Sequence, residues 1–234
     1  MLPKSRITNI KSGTEEWIEK RTAKFTSSQI YKLCAEKGFG DTGMSYIRTR
    51  VFEDISGTST DRDILNESIA HGIVNEPIAL RHFGAIMGLD FIVTQMVVDD
   101  ENPRFSSTPD GLIMASRLDG ESYEVITVET KCYQAENHIA CTECTTPQEI
   151  KLIDRKAYFQ VLDQMLVCHA LKGYLEYFHP DLPKDKGGAR IIEFNPMQRV
   201  GNEFPLIKDK QFLALRKQQA LVEFEKIKYK LSIP

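Results

Sequence analysis

Apolar positions along this chain follow two different periods, and the switch between them sets the order of its elements. Residues 14–36 carry apolar groups at helical spacing, interrupted near Phe25. This predicts two short helices, with Trp17 on the first and Thr26-Ser27-Ser28 as N-cap of the second. Residues 38–43 (GFGDTG) read as a flexible glycine loop, and 45–55 as a further helix. Residues 64–87 repeat the helical pattern, with Pro77 as a kink or restart. Then the period shortens. Residues 91–98 (FIVTQMVV) are β-rich, and short strands at 104–107 and 112–115 flank the turn tetrad Thr108-Pro109-Asp110-Gly111. Residues 123–132 (YEVITVETKC) form another strong strand. A loop through a Cys/His region leads to a helix at 154–168, two strands at 173–179 and 190–195, and a long amphipathic helix at 205–231. No repeat or linker interrupts this order, which predicts one α/β domain over residues 1–234 with a central mixed β-sheet flanked by helices.

Composition narrows the class. Of 234 residues, 41% are hydrophobic and 27% charged, which excludes a disordered chain or a fibrous rod. No apolar run approaches the ~20 residues that span a bilayer. The first residues, MLPKSRITNIKSG, lack the apolar core of a signal peptide, so a cytoplasmic location without a membrane partner is expected. A net charge of −3 argues against nucleic acid, whose partners are usually basic. The average conceals a segregation, however. Residues 1–60 hold ten Lys/Arg against seven Asp/Glu, and 205–234 hold seven against three, whereas 61–130 hold four against thirteen. An acidic centre flanked by basic ends suits a cation site beside phosphate-binding surface.

Five cysteines without an export signal point to a reducing compartment and not to a disulfide framework. Cys132, His138, Cys141 and Cys144 fall close together, but their spacing completes no familiar zinc knuckle. They read as reduced cysteines in a surface loop.

The chemistry-bearing stretch is Pro109-Asp110-Gly111 followed by Glu129-Thr130-Lys131. In a strand, Glu129 and Lys131 share a face while Thr130 turns away, and Asp110 at the turn can converge on Glu129. Two close carboxylates repel unless a cation neutralises them, and hard oxygen donors favour Mg²⁺. A lysine beside that ion can orient a water and offset charge developing on a phosphate. The Glu–Lys pair also interrupts an otherwise apolar or β-branched run, where a charge pair is costly without a purpose.

These blocks, with Tyr158-Phe159-Gln160 on the following helix, resemble the restriction-endonuclease-like PD-(D/E)XK nucleases, and within them the lambda-exonuclease-like, YqaJ-type viral recombinase branch. Trp17-x3-Arg21 with Thr26-x-Ser28, Met44-Ser45-Tyr46, Gly72-x3-Glu76, Ser107–Leu112 and Glu129–Cys132 follow that family's motifs in order. The resemblance implies a 5′→3′ exonuclease that digests one strand of duplex DNA, preferably from 5′-phosphorylated ends. It would leave a 3′ single strand for recombination with a single-strand annealing protein. It implies a ring-shaped homotrimer, encoded by a phage or prophage and acting in the bacterial cytoplasm. Asp110, Glu129 and Thr130 would belong to a Mg²⁺ site (Mn²⁺ substituting), with Glu76 near a second ion. Lys131 would position the attacking water and Gln160 would support the water or the phosphate. Arg21, Ser28 and Thr108 would receive the 5′-terminal phosphate, and Ile69 would help separate the last base pairs. Three departures stand out: Thr108 replaces a serine, Leu162 replaces the second glutamine of a Q-x-Q pair, and His71 replaces an aromatic residue. The alternatives are another nuclease of the same superfamily (an endonuclease, or a Cas4-like enzyme using clustered cysteines for an iron–sulfur cluster) and a non-catalytic DNA-binding recombination adaptor.

Overall fold

The computed structural model describes residues 2–3, 6–10, 13–60, 67–89 and 95–233, the side chains of 67–69 excepted. Its centre is strand β6 (Ser122–Lys131), whose apolar residues occur on both faces, as in a strand covered on both sides. β6 pairs antiparallel with β5 (Gly111–Ser116) and parallel with β7 (Lys172–Phe178), and β7 pairs antiparallel with β8 (Ala189–Phe194). The two-residue β1 (Leu2–Pro3) pairs with the first residues of β6, completing a five-stranded mixed sheet. A parallel pair needs a long crossover. Here it is made by helices α4 (Ala135–Thr142), α5 (Pro147–Ile153) and α6 (Arg155–Val167), counted after the three helices described below.

Helix α6 lies on one face of the sheet, where Val161, Leu162 and Met165 join Val125 and Leu175 in the main core. Gly173 of β7 makes that approach possible: a Cβ there would lie 2.9 Å from Val161 Cγ1 and 3.0 Å from Thr127 Oγ1. Helix α3 (Glu67–Met87) covers the opposite face, packing Phe83 against Val128 and Tyr174. It runs through Pro77 as one helix.

A smaller three-stranded sheet joins the N-terminal segment to the strand before Asp110. In it β2 (Phe25–Thr26) pairs parallel with β4 (Phe105–Ser107), which pairs antiparallel with β3 (Val97–Val98). Phe25 stacks on Phe105 with ring centroids 5.3 Å apart. Before it comes α1 (Glu15–Arg21), capped by the Thr14 side chain, and after it α2 (Gly40–Ser56). The closing α7 (Pro205–Ser232) packs on α2 and α6.

Several expectations need correction. Residues Ser27–Leu33 form a 3₁₀ segment instead of an α-helix, and the Thr26 side chain does not cap it. That hydroxyl is engaged with Arg21 and Ser28, and the Thr26 backbone belongs to β2. The glycine loop is shorter than its composition suggests, since α2 begins at Gly40. Gly43 lies inside α2 because a Cβ there would meet the Lys32 carbonyl oxygen at 2.7 Å. The Cys/His loop is instead α4 and α5, the second started by a Thr146/Glu149 capping box with Pro147 in its first turn. All five cysteines are buried thiols. The β-rich run at 91–98 contributes only Val97–Val98 to the described strands, and residues 91–94 lie outside the described residues.

Replacing Gly173 by alanine should lower stability by about 1–3 kcal/mol, the usual cost of overpacking a tight core. Urea unfolding checks this, and an unchanged midpoint would show that α6 does not press on β7 as described.

Candidate active site

The β5–β6 register pairs Gly111 with Val128, so the next step along the ladder sets Asp110 opposite Glu129. Residues directly opposite in an antiparallel pair share a face. Asp110 Oδ2 accepts the Thr130 backbone N–H at 2.7 Å and the Thr130 hydroxyl at 3.0 Å. Thr130 therefore sits behind Asp110 and fixes its orientation.

Glu129 is only 2% exposed. Its Oε1 accepts from the Lys131 ammonium and, at 2.5 Å, from Gln160 Nε2, while Oε2 accepts from Gln164 Nε2. Burial works against the Lys131 charge, but Glu129 and Asp110 outweigh it and hold the lysine above its ordinary pKa. Burial, then the Glu129 charge, pushes the Asp110 carboxyl well above the usual carboxylate range. Glu76 of α3 is also raised, by burial first and by Glu129 in addition, against the opposing pull of Lys131. Three acidic groups thus face one ammonium.

The donor chemistry fits a hard divalent cation: the carboxylate oxygens of Asp110 and Glu129 are hard donors, and beside them the buried Gln160 Oε1 has no hydrogen-bond partner and is open to accept from a water. Among the described residues, no three His, Cys, Asp or Glu side chains are already gathered as they would be around an ion. Both Glu129 oxygens are turned to nitrogen donors.

A second group of residues adjoins this one. The Arg21 guanidinium lies 3.8 Å from the centre of the Trp17 ring, and its Nη2 donates to Thr26 Oγ1 at 3.4 Å. Thr26 Oγ1 is 3.4 Å from Ser28 Oγ, and the Trp17 indole N–H donates to Thr108 Oγ1 at 3.1 Å. A cavity of about 250 Å³ unites both groups. Arg21, Ser28, Glu76, Thr108, Asp110, Glu129, Lys131 and Gln160, all expected from the sequence, line it together. Thr130 stands behind it, and the Ile69 side chain lies outside the described residues. A larger cleft of about 430 Å³ beneath α7 shares none of these residues.

The YqaJ-like viral recombinase domain family matches residues 16–170, which carry every one of these side chains. The chain belongs to this family. The YqaJ-like domain is also similar in structure to the alkaline exonuclease LHK-Exo from Laribacter hongkongensis, with a TM-score of 0.67 and 18% identity over 94% of this chain and 98% of that one. The dAMP complex of LHK-Exo gives 0.66 and 19% over the same shares. A phage related exonuclease from Haemophilus somnus gives 0.59 and 16%, over 90% and 97%. At such identities the likeness shows the fold, which is the restriction-endonuclease-like fold of the alkaline exonucleases. No curated protein matches the sequence.

Sequence reasoning missed three participants in this YqaJ-like site. Gln164 was hidden because a partner for Gln160 was sought two positions on, at Leu162. Two positions turn a helix to its other side, and Leu162 is in the core, whereas the i+4 residue shares the face of Gln160. Trp17 entered only as a motif letter, although its N–H and ring both serve the cavity. Lys156, one turn before Gln160, also lines it.

The cysteines stand apart from this chemistry. Burial raises the thiols, that of Cys132 to about 12, which leaves them protonated at neutral pH. Cys144 Sγ donates to the Ala140 carbonyl and His138 Nε2 meets the Gly187 carbonyl at 2.7 Å. They are core groups, not the exposed loop expected.

On the α3 side of the sheet, Glu176 of β7 pairs in register with Thr130 and is fully buried. His82 Nδ1 meets its Oε1 at 2.6 Å, and burial raises its carboxyl to about 8. The folded protein therefore binds a proton more tightly there than the unfolded chain, so this residue's contribution to stability falls as pH rises from about 4.5 through about 8. In urea unfolding at pH 5 and pH 8.5, Glu176→Gln should lose less stability with rising pH than the parent. Parallel losses would contradict a protonated Glu176.

Proposed function

We propose that this YqaJ-like domain is a Mg²⁺-dependent exonuclease. It digests one strand of linear duplex DNA from the 5′ end and leaves a 3′ overhang for recombination by single-strand annealing. The family and the fold support a phage-type exonuclease. The observation that carries the finer reading is that one small cavity joins the Asp110–Glu129–Lys131 cluster to the Arg21–Trp17–Thr108 group. A pocket for a terminal phosphate at this distance from the carboxylates would fix which bond from the end is cut, which suits an enzyme that starts from a 5′ end.

In this reading Asp110 and Glu129 hold the Mg²⁺, Thr130 orients Asp110, and Glu76 stands toward a second ion. When bound, the cation supplies Lewis acidity and a water of lowered pKa. Mn²⁺ substitutes. Lys131, held charged by its acidic neighbours, orients the attacking water and offsets charge developing on the scissile phosphate. The free Gln160 Oε1 is an acceptor for that water, while the amide N–H restrains Glu129. Arg21 receives the 5′-phosphate, its planar guanidinium matching phosphate oxygens and its orientation set by the Trp17 ring. Ser28 and Thr108 add hydroxyl donors. Ile69 on α3 is the apolar residue assigned to strand separation. A homotrimeric ring, an annealing-protein partner, and a place in the bacterial cytoplasm as a phage or prophage product complete the proposal. Among the described residues no helix is long and apolar enough to cross a membrane.

The test is digestion of linear duplex labelled separately at each 5′ and 3′ end, with Mg²⁺ or EDTA. Stepwise release from the 5′ end only with Mg²⁺ is expected, and internal cuts, 3′ release or activity in EDTA would overturn the reading. Asp110→Ala, Glu129→Ala and Lys131→Ala should each lose at least ~100-fold in rate while remaining folded. Arg21→Ala should lose more activity on 5′-phosphorylated than on 5′-hydroxyl ends, and equal loss on both removes Arg21 from the phosphate pocket.

A further inference from the structure

We propose that Lys156 is a further DNA-binding residue of this site, its ammonium contacting an internal backbone phosphate of the strand being digested. The inference rests on the nuclease reading and extends it to a residue outside the motifs.

Lys156 is the second residue of α6, where the helix dipole disfavours a cation. Asp154, the N-cap, attracts it without forming an ion pair. Its Oδ1 accepts the Ala157 N–H at 3.0 Å, and its Oδ2 accepts the hydroxyls of Tyr133 at 2.7 Å and Tyr177 at 3.0 Å. The neighbouring cations are engaged elsewhere: Arg155 donates to the Cys34 carbonyl, and Lys151 pairs with Asp209 at 2.7 Å. Among the described residues no carboxylate lies within ion-pair distance of Lys156, although its side chain lines the cavity that holds Glu129, Lys131 and Gln160. Burial first, and then the Lys131 charge, disfavour its ammonium, against a smaller opposing pull from Asp154 and Glu129.

Two ammonium groups on one cavity wall, one of them at a helix N-terminus and without a carboxylate, are unfavourable until an anion arrives. The neighbours separate this position from the terminal-phosphate pocket. Arg21 contacts Trp17 and Thr26, whereas the charges acting on Lys156 are those of Lys131, Asp154 and Glu129, on the carboxylate side of the shared cavity, where in the proposed function the chain next to the scissile bond passes.

The experiment is equilibrium binding of a fluorescent blunt duplex in EDTA, so that nothing is cut, over a range of KCl concentrations. Parent, Lys156→Ala, Lys156→Arg and Lys226→Ala are compared, the last an exposed α7 lysine paired with Glu223. Loss of one phosphate contact should weaken binding and reduce the slope of log K against log [KCl] by about one. Lys156→Arg should restore the slope and Lys226→Ala should leave it unchanged. The change should be the same on 5′-phosphorylated and 5′-hydroxyl duplexes, since an internal phosphate is present in both. A parent slope retained in Lys156→Ala would overturn the assignment while leaving the nuclease reading intact. An effect confined to 5′-phosphorylated ends would move Lys156 to the terminal pocket and equally overturn it. A parent that does not bind duplex at any salt would remove both.

Discussion

The buried carboxylate of Glu129 is the constraint around which this molecule is arranged. A carboxylate so nearly removed from water is costly unless it is paired and hydrogen-bonded. Here three nitrogen donors meet it, one from the same strand and two from α6. Those two glutamines reach β6 only because α6 lies close across the sheet, which requires Gly173 beneath it. α6 in turn crosses there because β6 and β7 are parallel and their connection must return over a face. One charge thus links the topology of the sheet to the chemistry at its edge.

The opposite side of the cavity depends on a different element. The turn Thr108–Asp110 ends β4 and precedes β5, so it joins the small sheet to the large one. Its first residue accepts from Trp17 and its last from Thr130. Whatever Arg21 senses on the stacked face of Trp17 is therefore two residues from a carboxylate. In the proposed function this short span connects the phosphate pocket to Asp110.

Much of this was legible in the chain. The strands around Asp110, Glu129 and Leu175, and the helices at 155–167 and 205–232, announced themselves because period and burial agree there. The helical character of 135–153 did not, because cysteines and a histidine in that stretch suggest ligands when they serve as core. Gly40 and Gly43 suggest a loop by composition, yet Gly43 marks close packing of α2 on the 3₁₀ segment. At the site, most residues of the named motifs line one cavity, whereas Gln164 and Lys156, related to Gln160 by helical geometry, carried no signal in the linear motifs. Gln164 and Lys156 each stand one turn from Gln160, a relation that a linear motif does not encode. The net charge of −3 likewise misled as an average, since the acidic centre contains the carboxylates of the cavity.

In the proposed function Asp110 keeps its proton until a cation arrives, so cation binding must displace that proton. Asp110, whose pKa burial and Glu129 both raise, is the group from which a proton is displaced. Calorimetric titration of Mg²⁺ into the protein near neutral pH, in two buffers of different ionisation enthalpy, measures that displacement. Saturable binding with net proton release is the expected result. Binding heats independent of the buffer, or no saturable binding, would contradict the proposal that Asp110 and Glu129 hold the cation.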